Sequence, residues 1–172
     1  VAAEHIGITP AESIEALAAF QGVRRRLEVR GTVGGVTVID DFAHHPTAIA
    51  TTIAGLRARM QAGSHPGGRL LAVLEPRSNT MRTGTLKAQL PASLKDADMV
   101  FCYAGGIDWD AQAALAPLGE RVAVLRDMPA LEAAILAAAR PGDQVLVMSN
   151  GGFGGIHGRL LTGLASREGN GK

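Results

Sequence analysis

Asp40, Asp41, His44 and His45 crowd into one short stretch, Asp-Asp-Phe-Ala-His-His-Pro-Thr, directly after the β-branched run Val36 to Ile39. A carboxylate placed there can accept two hydrogen bonds from a ribose diol or help hold a cation. It can equally act as a turn or helix-capping acid. Neighbouring side chains diverge in extended or turn backbone, so His44 and His45 are not expected to share a metal ion. No His-x-x-x-His spacing occurs and Cys102 is remote, so no metal site is expected. One histidine can donate to a phosphate while the other packs or caps.

Three further stretches carry polar chemistry. Glu75 to Arg82 holds two arginines, Arg77 and Arg82, with Ser78, Asn79 and Thr80 between them. Planar guanidinium groups bind carboxylates bidentately; an ordinary strand-to-helix loop is the alternative. Ser149 to Gly155 is glycine-rich, with Ser149 and Asn150 at its start. That loop superficially resembles a dinucleotide fingerprint and raises the rival of a nicotinamide-binding oxidoreductase. Its glycine spacing fits poorly, and the acid expected downstream is represented only by Glu168 near the terminus. Arg24-Arg25-Arg26 is the densest basic run. Such a run is usually a solvated face, but it lies where the chain changes character, and an arginine at a domain junction can reach a nucleotide or stack on a base. No Walker A sequence occurs, so the chain has no recognised phosphate cradle of its own.

The elements that must position these groups follow from the apolar pattern. Thr9-Pro10-Ala11-Glu12 reads as a helix start, with Ile14, Leu17, Ala18 and Phe20 on the helix and Gly22 at its end. Strands at about 26–31 and 36–40 flank a Thr-Val-Gly-Gly turn and predict a hairpin. Helices are expected over 46–61, 86–90, 110–116, 129–139 and from 156, and strands over 70–74, 99–103, 122–125 and 145–148. Short unbroken apolar strands alternating with helices predict an α/β fold. The expected architecture is a Rossmann-like, mostly parallel sheet covered by helices on both faces and preceded by a short β-hairpin. The acids, the histidines and both loops then fall at the carboxyl ends of strands, where ligands bind in such sheets. Helix N–H groups there also favour anions.

The chain has 172 residues, 47% of them hydrophobic, with 22 glycines and only 3% aromatics. That suits one substantial core. A net charge of +1 gives no signal for nucleic acid or membrane surfaces. A single cysteine excludes an intramolecular disulfide and fits the cytoplasm. No apolar run reaches the length of a membrane span and no signal peptide is recognised. The chain opens with Val1 rather than Met, as expected of a piece of a longer protein, and residues 166–172 read as a flexible tail.

The motifs Arg26-Leu27-Glu28-Val29 and Asp40-Asp41-Phe42-Ala43-His44-His45-Pro46-Thr47 resemble the start of the C-terminal domain of the Mur ligases. These are ATP-dependent amide-forming enzymes of peptidoglycan synthesis. Glu75-Pro76-Arg77-Ser78-Asn79-Thr80-Met81 and Ser149 to His157 resemble more narrowly the murein peptide ligase branch of that family. The resemblance covers nearly the whole chain. It implies that residues 1–22 are terminal helices of a central ATPase domain and that 23–165 form the C-terminal domain. It implies ATP contacts from Arg26, Asp41 and His44, and tripeptide contacts from Arg77, Ser78, Asn79, Arg82, Ser149 and Asn150. Phe42 stands where relatives often carry Tyr. No catalytic group is assigned within this domain, and Mg2+ would be held mainly by the central domain. The implied partners are ATP, UDP-MurNAc, the murein tripeptide and the protein's own N-terminal and central domains. The implied reaction joins UDP-MurNAc to L-Ala-γ-D-Glu-meso-diaminopimelate through an acyl phosphate. It would serve peptidoglycan recycling, and so wall biogenesis and cell shape, in the cytoplasm of a Gram-negative bacterium. A UDP-MurNAc:L-Ala ligase is the nearest alternative. The fragment alone is expected to be inactive.

Overall fold

The computed structural model describes residues 2–18, 23–63 and 67–169. Two short helices open the chain, α1 (Ala2–His5) and α2 (Pro10–Ala18). The start of α2 is the expected capping box. Glu12 Oε2 accepts from both the N–H and the hydroxyl of Thr9, and the Glu12 N–H donates to Thr9 Oγ1. Neither helix buries a residue, and Ile14 and Leu17 on α2 are exposed. Phe20 and Gly22 lie outside the described residues.

The hairpin forms between β1 (Glu28–Val33) and β2 (Val36–Asp41). Gly34 and Gly35 have φ of 58° and 72°, the doubly left-handed turn that a two-residue hairpin loop requires. The first strand starts later than expected, at Glu28 instead of about residue 26. Side chains impose a turn just before it: Arg25 N–H donates to Glu28 Oε2 and Leu27 N–H to Asp41 Oδ2. Arg25 and Leu27 accordingly take positive φ, 56° and 47°.

The remaining elements are α3 (Pro46–Ala62), β3 (Leu70–Leu74), α4 (Asn79–Arg82), α5 (Leu90–Leu94), β4 (Met99–Tyr103), α6 (Ala111–Leu115), β5 (Val122–Leu125), α7 (Met128–Ala138), β6 (Gln144–Met148) and α8 (Ile156–Gly169). Two boundaries depart from expectation. The helix foreseen at 86–90 forms as a short 3-10 helix over Lys87–Gln89 and continues into α5 to Leu94, because Pro91 lacks an N–H and fits a first α-helical turn better than a last one. Of the stretch 166–172 expected as a tail, 170–172 lie outside the described residues and 166–169 form the last turn of α8. There Ser166 Oγ donates to Thr162 O and the Arg167 guanidinium reaches Leu136 O.

The six strands run in the order β1-β2-β6-β3-β4-β5, with β1 antiparallel and the others parallel. Alternation divides the apolar strand residues between two cores. Leu70, Ala72, Leu74, Cys102, Leu146 and Met148 pack with Ile49, Ile53 and Leu56 of α3 on one face. Leu71, Val73, Phe101, Val145 and Val147 pack with Leu131 and Ile135 of α7 and Ile156 and Leu160 of α8 on the other. Burial on both faces explains why these strands read as unbroken apolar runs. Burial also pushes the Cys102 thiol up to about 12, so it stays a neutral core group.

The topology matters for the site. The chain passes from β2 through α3 to β3, moves outward to β4 and β5, and returns through α7 to place β6 between β2 and β3. The carboxyl ends of β2, β6 and β3 are therefore neighbours, with Asp41 opposite Met148 and Met148 opposite Leu74. Three sequence-distant stretches, 41–47, 149–155 and 75–82, thereby open onto one edge of the sheet.

Candidate functional site

The nucleotide-side candidates sit where β2 meets α3. Arg26, Asp41 and His44 line one cavity of about 490 Å³, with Phe42, His45, Thr47, Thr51 and Thr52 among its other walls. His45 occupies the N-cap position of α3 with no side-chain cap, and Pro46 fills the first turn. The uncapped N–H groups of this long helix thus face the cavity end and favour an anion. His44 Nδ1 lies 2.9 Å from Phe42 O. A carbonyl only accepts, so Nδ1 carries the proton and Nε2 is left for a ligand.

Phe42 is the hub of the cavity's other wall. The Arg25 and Arg26 guanidinium carbons lie 5.0 and 5.3 Å from its ring centroid, and the His44 ring meets it edge-on at 5.3 Å. Phe42 has no hydroxyl to contribute, and an aromatic face flanked by cations is what remains.

Asp41 is almost wholly buried and heavily used. Its Oδ2 accepts from Leu27 N–H at 2.8 Å, and its Oδ1 accepts from Ala43 N–H at 2.8 Å and Thr52 Oγ1 at 3.2 Å. Its first role is therefore to fix the turn before β1 and the bend after β2. A carboxylate has about four acceptor positions, so one remains on Oδ2. Asp40 belongs to a different network. It faces Arg25 at 3.4 Å, Arg30 at 4.0 Å and His157 at 3.3 Å, and is not part of the cavity lining.

The peptide-side candidates sit around the ends of β3 and β6. Arg77 and Arg82 share a cavity of about 190 Å³ with Glu75, Pro76, Tyr103 and Gly106. Arg77 also shares a larger one, about 420 Å³, with Ser78, Asn79 and Asn150. Arg82 is held from behind: its Nε donates to Gly106 O at 3.1 Å. The short helix α4 that carries it is pinned by Trp109, whose Nε1 donates to Met81 O at 2.7 Å. Trp109 also packs on Gly84, where an added Cβ would lie 2.7 Å from its ring. Ser149 is buried below the loop surface, while Asn150 Oδ1 is buried without a hydrogen-bond donor. An orphaned acceptor beside an arginine-lined cavity is a position for a ligand N–H.

Among the described residues, no group of three or more His, Cys, Asp or Glu is arranged to hold a metal ion. No helix among them is long and apolar enough to cross a membrane.

The structure thus separates the expected site residues into two neighbouring groups, Arg26, Asp41 and His44 on one side and Arg77, Ser78, Asn79, Arg82 and Asn150 on the other. Ser149 supports the second group from beneath. Sequence reasoning did not single out Arg25, Glu75, Tyr103 or Gly106. Glu75 opens a motif already recognised, and Tyr103 ends a strand, so their positions were the available signal. Gly106 and the choice of Arg25 within an arginine triplet had none.

Comparison with known proteins bears on this arrangement. A family model described as Mur ligase, glutamate ligase domain, matches residues 25–151. Over 167 residues the chain is 47% identical to UDP-N-acetylmuramate--L-alanyl-gamma-D-glutamyl-meso-2,6-diaminoheptandioate ligase of Escherichia coli (strain K12), covering 96% of this chain and 36% of that protein. The ligase of the same name from Haemophilus influenzae is 42% identical over 161 residues, covering 93% and 35%. The crystal structure of a murein peptide ligase from Psychrobacter arcticus 273-4 superposes with a TM-score of 0.71 at 40% identity, covering 95% of this chain and 35% of that one. The chain therefore spans about a third of the length of these relatives.

Proposed function

The chain belongs to the Mur ligase family, as its glutamate ligase domain, and from that premise we propose that it is the ATP- and peptide-positioning domain of a murein peptide ligase. The full protein would join UDP-MurNAc to L-Ala-γ-D-Glu-meso-diaminopimelate. Likeness to two ligases named for that peptide supports this reading over an L-alanine ligase. The observation that carries it is the convergence of the three loops at the carboxyl ends of neighbouring strands, which puts an anion-favouring, aromatic-walled cavity at the same end of the sheet as an arginine-rich one. Family membership removes the motive for a nicotinamide-binding oxidoreductase.

ATP supplies the phosphoryl group that activates the UDP-MurNAc carboxylate. Arg26 and Phe42 would flank the base, the free position on Asp41 would take a ribose hydroxyl, and His44 Nε2 with the start of α3 would face the phosphates. Mg2+ is assigned to the central domain. Arg77 and Arg82 match the carboxylates of the tripeptide, and Asn150 Oδ1 can accept from one of its N–H groups. Holding both ligands at one edge raises effective molarity and excludes water from the activated carboxylate. The exposed Ile6 and Ile8 after α1 and Ile14 and Leu17 on α2 would pack on the central domain, and residues 1–22 would be its last helices. The proposed setting is peptidoglycan recycling in the cytoplasm.

The test uses the full-length protein. ADP release should require UDP-MurNAc together with the tripeptide, and L-alanine should not replace the tripeptide. Equal turnover with L-alanine would favour the alternative specificity. The 172-residue chain alone should hydrolyse no ATP, since it carries no Walker A sequence.

A further inference from the structure

Arg25 lies outside both groups of candidate residues, yet its side chain bridges them. One nitrogen, Nη2, donates to Ser149 O at 2.5 Å and to Gly151 O at 2.9 Å. These carbonyls bracket Asn150, so a single guanidinium fixes the bend of the loop at that residue. Ser149 Oγ closes the same bend by accepting from Gly151 N–H at 2.9 Å. Arg77 rests directly on this bend: a Cβ added to Gly151 would lie 1.7 Å from Arg77 Nη1. The place of Gly151 therefore sets how Arg77 enters its two cavities.

Arg25 is itself firmly held. Its backbone is left-handed, a conformation that costs energy for any residue with a side chain. Two hydrogen bonds retain it, Arg25 N–H to Glu28 Oε2 at 2.7 Å and Phe42 N–H to Arg25 O at 2.9 Å. Its charge faces the buried Asp40, 3.4 Å away, and its guanidinium lies over Phe42. Nε turned to Asp40 and Nη2 to two carbonyls use the fork geometry of arginine, which a lysine ammonium cannot reproduce. Its neighbour Arg26 lines the cavity beside Phe42 and makes none of these loop contacts.

We infer that Arg25 is a positioning residue for the peptide side of the cleft, holding the 149–151 loop where it seats Arg77. This rests on the reading of the Arg77 cavities as the tripeptide site. The residue acts from the junction with residues 1–22, so the segment joining the two parts of the chain also shapes peptide selectivity.

The test compares Arg25→Lys, Arg77→Lys and the double variant in the full-length ligase, with each substrate varied in turn. Arg25→Lys should raise KM for the tripeptide about fivefold, with KM for ATP within about twofold, because charge is kept and only the fork is lost. The double variant should be no worse than Arg77→Lys alone, since the Arg77 fork that Arg25 positions is already lost. Independently of any substrate, amide hydrogen exchange at 149–151 should quicken in Arg25→Lys while exchange in β6 stays slow. An unmoved tripeptide KM with Arg77→Lys still impaired would overturn the inference, as would full additivity or a larger effect on ATP. A silent Arg77→Lys would instead remove the peptide assignment itself. Unchanged exchange at 149–151 would show, whatever the ligand, that Arg25 does not hold the loop.

Discussion

Ser149 Oγ donates a 2.5 Å hydrogen bond to Glu75 Oε2. The two residues directly follow β6 and β3, and Glu75 N–H donates to Met148 O at the same level. A charge-assisted bond thus clamps the Arg77 loop to the Asn150 loop at the point where both leave the sheet. Ser149→Ala removes this donor and the acceptor for Gly151 N–H. The expected result in the full-length ligase is a tripeptide KM raised about five- to tenfold, equivalent to roughly 1–1.4 kcal/mol. Steady-state kinetics check it; an effect on ATP in place of the tripeptide would contradict the role given to this clamp.

Gly151→Ala should reproduce the loss of Arg77 without touching its charge. The glycine backbone there is not left-handed, so alanine adopts it without strain, but its Cβ would occupy the space of Arg77 Nη1. Arg77 must swing away. We expect kcat/KM for the tripeptide to fall at least about tenfold, near 1.4 kcal/mol, while the melting temperature stays close to that of the parent. Normal peptide kinetics would mean that the seat of Arg77 on Gly151 is irrelevant to binding.

Asp41→Asn keeps an acceptor for Ala43 N–H and Thr52 Oγ1 but turns an amide NH2 towards Leu27 N–H, two donors facing each other. The change should cost about 1–3 kcal/mol of stability, measured by urea unfolding of the 172-residue chain. In the full-length ligase KM for ATP should rise more than KM for the tripeptide. A stable variant with unaltered ATP binding would leave Asp41 neither role.

His157 gives a pH signature. Burial holds its imidazole below the usual 6.5, partly opposed by Asp40 and reinforced by Arg30 and Arg25. The folded state therefore binds fewer protons than the unfolded chain between the depressed value and 6.5. Its contribution is fully present above that range and is lost as pH falls through it. His157→Gln should flatten the drop in stability between about pH 7 and pH 5, read as the difference between urea midpoints of parent and variant. An identical pH profile in both proteins would show that His157 titrates as freely as in the unfolded chain.

Much of this architecture was written locally. The strands at 70–74, 99–103, 122–125 and 145–148 are legible because burial on both faces leaves no polar residue to break the run. Thr9, Pro10 and Glu12 announce a helix because their hydrogen bonds close within one turn. The α/β class, the hairpin and the placing of acids and histidines at a strand end needed only such short-range rules. Glycine, serine and charged residues made 166–172 read as a tail, whereas hydrogen bonds from Ser166 to Thr162 O and from Arg167 to Leu136 O accompany the helix through 166–169.

What the tertiary structure alone decided is who meets whom. Local periodicity fixes whether a segment is strand or helix but says nothing about which strands pair. The insertion of β6 between β2 and β3 is what brings Ser149 to Glu75 across 74 positions and Arg25 to Ser149 across 124. The turn before β1 then chose Arg25 over Arg26 as the bridge: Arg25, with positive φ, reaches the loop, and its neighbour lines the cavity beside Phe42. The sequence by itself determined the elements and the chemistry available at their ends. Long-range strand pairing, which no local spacing encodes, arranged that chemistry into two neighbouring groups of residues at the carboxyl ends of the strands.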